Sequence, residues 1–230
     1  MLIITMRTKL FHFEEYYMIL IEGIPGSGKS TTAINLKKEL QLKKVDCKLF
    51  LEYSDENPFR YKNGTSPEVP VQDFVSTVSS QWKLFFDKYS NKNKMIIQEG
   101  MTLQQQVNYA VWIDRFIEIK PLIQEILNGL KKIQPTLFYL EHRKPEENFQ
   151  RVMQERGNDW VTSAIKPISE SPFAVNRNIA GVKALQSFLE EITKKNLECL
   201  SLLDFPVHRI NIGDYDEDSL IIKILSVLNL

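Results

Sequence analysis

Cysteine is scarce. Cys47 and Cys199 are the only two in 230 residues, they lie far apart, and no Cys/His group has metal-ligand spacing. A disulfide-stapled secreted scaffold and a zinc module are therefore poor readings, and a reducing cytosol is the simplest setting. Charge of either sign is not in excess: 29 Lys and Arg face 29 Asp and Glu, with a pI near 6.8. No bulk field then draws the chain to nucleic acid or to an anionic membrane, and any phosphate binding has to be local. No apolar run is long enough to span a bilayer, and Met1 to Ile4 is too short for the core of a signal peptide. His12, His142 and His208 are scattered without a serine or cysteine partner arrangement, so no nucleophilic triad is proposed. Neither an internal repeat nor a low-complexity tract is present.

Glycine is sparse as well, 9 in the chain, yet Gly23, Gly26 and Gly28 fall within six residues. They belong to Gly23-Ile-Pro-Gly-Ser-Gly-Lys-Ser30, a full match to the phosphate-binding loop (Walker A) pattern Gly-x4-Gly-Lys-Ser/Thr. Such a loop wraps backbone N–H groups around phosphate oxygens, which requires positive φ and an absence of side chains. The expected nucleotide contacts are Gly23, Pro25, Gly26, Ser27, Gly28, Lys29, Ser30 and Thr31. Lys29 would set a point charge on the β- and γ-phosphates, and the Ser30 hydroxyl would be one ligand of Mg²⁺. Context agrees. Met18 to Glu22 is an apolar run of strand length, and Ala33, Leu36 and Leu40 have one-face helical spacing after the loop.

Four further strands are expected at Cys47–Glu52, Met95–Glu99, Thr136–Glu141 and Pro206–Ile212. Helical patterns run over Val71–Tyr89, Arg115–Lys132, Glu146–Arg156, Asn176–Leu200 and Ser219–Leu230, and Pro121 is expected to start or kink a helix. Alternation of this kind predicts a three-layer α/β/α fold with a five-stranded parallel sheet. Asp55 to Pro70 reads as a loop over the active face. Ligands of such sheets collect beyond the carboxyl ends of the strands, where Glu52, Glu99 and Glu141 stand.

Beyond the phosphate loop, the chain resembles the thymidylate kinase and deoxynucleoside kinase branch of P-loop NTPases. The second match is Leu137-Phe-Tyr-Leu-Glu-His-Arg-Lys-Pro-Glu-Glu-Asn-Phe-Gln-Arg-Val-Met-Gln-Glu-Arg-Gly157. In that branch a strand ending in Tyr-Leu leads to a Pro-Glu pair, a helix, and arginines entering a lid over the phosphates. The resemblance implies lid roles for Arg151 and Arg156; a surface pair of Arg151 with Glu155 and a helix-end role for Arg156 before Gly157 stand as alternatives. It implies that Glu52 accepts the proton of the substrate hydroxyl. It places Glu99 at Mg²⁺, directly or through water. The arginine that often follows that acidic residue is missing here, where Gly100 stands instead. Gln81 and Trp82 lie near positions that hold a nucleobase in related kinases, although Trp82, Phe85, Phe86 and Tyr89 also read as a core stripe. Gly213, in the last strand's sequel, is an adenine-side candidate, Trp160 is expected to pack the lid down, and Arg60 could meet an anionic substrate. Residues 1–17 read as an N-terminal extension and residues 18–230 as one P-loop kinase-like domain.

The function expected on this basis is an ATP- and Mg²⁺-dependent small-molecule kinase, with a nucleoside, a nucleotide or another hydroxyl or phosphate compound as acceptor. Nucleic acid and membrane are not expected partners. The second reading is a nucleotide-gated regulator acting through a protein partner. No Asp-x-x-Gly and no Asn-Lys-x-Asp guanine reader is present, which argues against a GTPase.

Overall fold

Residues 18–59, 69–89, 95–142 and 145–230 are described by a computed structural model, without the side chains at 145–148, 151 and 155. The expected N-terminal extension, Arg60 and most of the loop up to Pro70 lie outside the described residues. Met18–Gly23 forms strand β1, and all of its residues are buried, as expected of a central strand covered on both faces. It lies between β3 (Met95–Glu99) and β4 (Thr136–Glu141), with β2 (Cys47–Phe50) and β5 (Val207–Asn211) at the edges. The order is β2-β3-β1-β4-β5 and every pairing is parallel. The expected three-layer α/β/α architecture is the one observed.

Alternation along the strands sorts the core into two layers. Ile19, Ile21, Ile97, Phe138 and Leu140 pack against α1 (Lys29–Leu42) and α8 (Glu217–Val227). Met18, Leu20, Ile96, Leu137 and Tyr139 pack against a larger set that includes α2 (Val71–Tyr89), α3 (Gln104–Trp112), α4 (Phe116–Lys131) and α7 (Gly181–Leu200). The chain runs from β1 through α1 out to β2, returns to β3, and then crosses β1 to reach β4, so the strand order reverses beside β1. A crevice opens at the carboxyl end of β1, where the glycine loop sits.

Differences from the sequence reading are local. β2 ends at Phe50, so Glu52 stands in the turn beyond the strand. The whole of α3 is an addition: no helix was expected between Glu99 and Arg115. The pattern at Glu146–Arg156 extends into α5 (Pro145–Ser169), two helical runs joined at Gly157, whose φ of 74° and ψ of 173° are not helical. The pattern at Asn176–Leu200 divides into α6 (Pro172–Arg177) and α7, separated at Asn178 in the left-handed region (φ 51°). Pro121 does not start a helix: α4 begins at Phe116 and continues through it.

Candidate functional site

Gly23, Gly26 and Gly28 all have positive φ and give the loop its shape. Gly28 has φ 74° and ψ 15° and forms the N-cap of α1, and a Cβ on Gly23 (φ 153°) would lie 2.3 Å from the Leu140 carbonyl oxygen of β4. The first turn of α1 contains no acidic residue, and its cap makes no side-chain hydrogen bond. Its N–H groups are therefore left for an anion, with the helix dipole pointing the same way. The Ser27 hydroxyl is buried without a partner inside the same loop. Lys29 is 6% exposed, and its Nζ donates to the Ile24 carbonyl oxygen at 3.0 Å. Burial pulls its pKa down, and the carboxylates of Glu99, Glu52 and Glu22 pull it back up. A phosphate group fits this cradle in shape, charge and hydrogen-bonding capacity.

Carboxylates surround the lysine. Glu99, at the end of β3, accepts from the Ser30 hydroxyl at 3.2 Å on Oε1 and from the Glu52 backbone N–H at 3.0 Å on Oε2. The two residues expected at Mg²⁺ are thus adjacent, and a hard oxygen pair with few protein ligands suits an ion that keeps waters and phosphate oxygens. No cluster of three His, Cys, Asp or Glu residues able to hold a metal by itself occurs among the described residues. Burial raises the Glu52 carboxyl to about 7 against the lowering effect of Lys29. Its Oε2 accepts from the Gln104 amide at 2.9 Å. Gly100, where an arginine was missing, has φ 68°, and a Cβ there would lie 3.0 Å from Glu52 Oε2. The glycine makes room for the carboxylate. Glu141, the third strand-end acid, is engaged elsewhere, in a two-point pair with Arg209 at 2.9 and 2.8 Å.

Glu22 was missed by sequence reasoning. It is 1% exposed in β1 and accepts the backbone N–H groups of Thr102 (2.7 Å), Leu103 (3.3 Å) and Gln104 (3.2 Å). One carboxylate thereby caps α3 from 80 residues away, and burial raises its pKa to about 7. The Ile-Glu-Gly sequence at the end of an apolar strand was its signal: an acid entering a fully buried run needs a partner.

Two cavities flank the loop. One, about 280 Å³, is lined by Pro25, Lys29, Ser30, Glu52, Glu99 and Arg156 at one end, continuing along α3 and α7. Arg156 sits over the Trp160 ring, 5.6 Å from its centroid, just before the break at Gly157. The two side chains are thus in contact across the break at Gly157. Arg151 lies on the same helix, but its side chain is outside the described residues. The second cavity, about 310 Å³, lies on the α1 and α8 side between Ser27, Gly28, Thr31 and Asn35 and the Ile212–Glu217 segment. Ile212 and Tyr215 line it; Gly213 does not. Gln81 and Trp82 are not brought to the loop: Trp82 is 2% exposed and stacks on Phe59 at 4.2 Å, so the core reading of that aromatic stripe holds. A larger groove of about 720 Å³ between α2 and α4 contains no residue of the glycine loop.

No protein-family model matches the chain. An adenylyl-sulfate kinase from Phocaeicola vulgatus is 29% identical over 110 residues, 46% of this chain and 53% of that one. The chain thus spans about half the length of the curated relative it matches. Among solved structures, YorR protein from Bacillus subtilis, in complex with phosphorylated GDP, is similar at TM-score 0.55 and 17% identity, over 93% of this chain and 96% of that one. Thymidylate kinase from Candida albicans is similar at TM-score 0.55 and 17% identity, over 94% and 92%. The fold is that of the P-loop kinases.

Proposed function

We propose that this chain is an ATP- and Mg²⁺-dependent kinase that transfers the γ-phosphoryl group to a small molecule. The observation that carries the reading is the convergence of Lys29, Ser30, Glu52, Glu99 and Arg156 on one cavity, with a separate cleft behind the loop. Two compartments meeting at a phosphate cradle suit a donor and an acceptor. A regulator that only senses nucleotide has no use for the second. The kinase names of the relatives support the same direction.

ATP would lie with its phosphates on residues 23–31 and its base toward Ile212 and Tyr215. Lys29 exchanges its bond to the Ile24 carbonyl for the phosphates. Ser30 and Glu99 would hold Mg²⁺, which when bound neutralises charge on the transferring group. Glu52 takes the proton of the attacking hydroxyl, and its raised pKa suits a base working near neutrality. Arg156 closes over the γ-phosphate, with Arg151 as a second lid cation. Catalysis of this kind consists mainly of positioning and electrostatics.

Replacing Glu52 by Gln keeps its size and a hydrogen-bonding end but removes the base. Transfer should fall about 10²–10⁴-fold with ATP affinity retained, measured by steady-state kinetics and calorimetry. Transfer at the wild-type rate would refute the assignment of Glu52.

A further inference from the structure

Helix α3 presents Gln104, Asn108 and Trp112 to the cavity that holds Glu52. Their spacing is i, i+4, i+8, which places them on one face of the helix and spreads them over about 12 Å at 1.5 Å per residue. Each contains a buried polar atom without a hydrogen-bond partner: Gln104 Oε1, Asn108 Oδ1 and Trp112 Nε1. Buried polar atoms are almost always paired, so three on one face of a nine-residue helix call for a ligand. Gln104 is 4% exposed and its Nε2 donates to Glu52 Oε2 at 2.9 Å. That bond to the carboxylate decides which end of the amide is spare, an oxygen. The N–H groups at the start of α3 are already held by Glu22, so the face does not serve as an anion-binding helix end.

Opposite this polar edge the cavity wall is apolar, formed by Ile168 of α5 and Leu185, Phe188, Leu189 and Ile192 of α7. Lys29 and Arg156 are the cations lining it among the described residues, and both lie at the Glu52 end. A polar edge facing an apolar wall suits a flat ring with hydrogen-bonding groups along one side. At about 280 Å³ the cavity is at the small end for a ligand site and holds one small molecule.

We infer that Gln104, Asn108 and Trp112 form the specificity edge of the phosphoryl-acceptor site, and that the acceptor is a neutral alcohol carrying a planar hydrogen-bonding ring. Its hydroxyl lies against Glu52, and its ring lies along Asn108 toward Trp112, whose own ring packs edge-on against Phe188 of α7 (5.8 Å between centroids) and closes the far end of the cavity. Gln104 is a positioning residue: its oxygen accepts from the bound molecule while its Nε2 holds Glu52 in place. The hydroxyl's role rests on the kinase reading, whereas binding along the edge does not.

The test is calorimetric titration of the full chain, in Mg-ADP, with the four deoxynucleosides and their 5′-monophosphates, for wild type, Asn108→Ala and Trp112→Phe. Trp112→Phe removes the indole N–H while keeping an aromatic side chain, and Asn108→Asp replaces Asn108→Ala if the latter does not fold. At least one nucleoside should bind about tenfold or more tightly than its own monophosphate, and either substitution should weaken it about tenfold. Gln104→Ala should lower kcat as well as affinity, whereas Trp112→Phe should mainly raise KM. Tighter binding of monophosphates, binding of none of the nucleosides, or unchanged affinities in the variants would overturn the inference. A nucleoside that binds along this edge but is not phosphorylated from ATP would leave the edge standing and refute the kinase reading. Transfer with affinities untouched by the substitutions would do the reverse.

Discussion

Glu22 is a carboxyl group with 1% exposure that holds three backbone N–H groups, and burial nevertheless outweighs them and raises its pKa from 4.5 to about 7. Between those two values the unfolded chain is ionised at this position and the folded chain is not. Stability from Glu22 is therefore fully present below about pH 4.5 and is lost as pH rises through 7. The loss is about 1.4 kcal/mol per pH unit, or about 3 kcal/mol across the window. Glu22→Gln is neutral at every pH and close in shape. It should resemble the protonated wild type at pH 5, apart from a donor facing the Gln104 N–H, and should gain on the wild type by about 3 kcal/mol by pH 7.5. Urea denaturation of both proteins from pH 5 to 8.5 gives the difference directly. Parallel curves would refute the reasoning, because they would mean that the carboxylate is as well solvated by its three N–H donors as by water.

Gly23→Ala should destabilise the fold by about 2 kcal/mol or more, read as a fall in Tm, because the Leu140 carbonyl 2.3 Å from the new methyl belongs to a paired strand and has little room to retreat. Ser30→Ala removes the hydroxyl beside Glu99 and should raise the Mg²⁺ concentration for half-maximal activity about 10-fold or more, with the Tm little changed. An unchanged Mg²⁺ requirement would remove Ser30 from the metal site.

Much of the frame was legible because local rules and tertiary structure agree there. β1, the glycine loop and α1 are one continuous signal: an apolar strand, residues that permit positive φ, then one-face helical spacing. The parallel strands were legible as short apolar runs. α3 was not, and the reason is physical: its N-cap, Leu103, makes no side-chain cap bond, and the capping carboxylate comes from β1. Its glutamines look like surface residues until the fold encloses them. Gln104 and Asn108 were therefore missed as site residues, although they line the same cavity as the predicted Lys29, Glu52 and Arg156. The stripe at Trp82 had correct helical spacing but faces the core, since periodicity locates a face and not what it meets.

The central claim is phosphoryl transfer to a small molecule. Its most direct test is ADP production from Mg-ATP by the purified chain, alone and with nucleosides, nucleoside monophosphates and aminoglycosides, beside Lys29→Ala. A rise with one acceptor class, abolished in Lys29→Ala, is the predicted result. Slow hydrolysis indifferent to every acceptor would contradict it and favour a nucleotide-gated regulator.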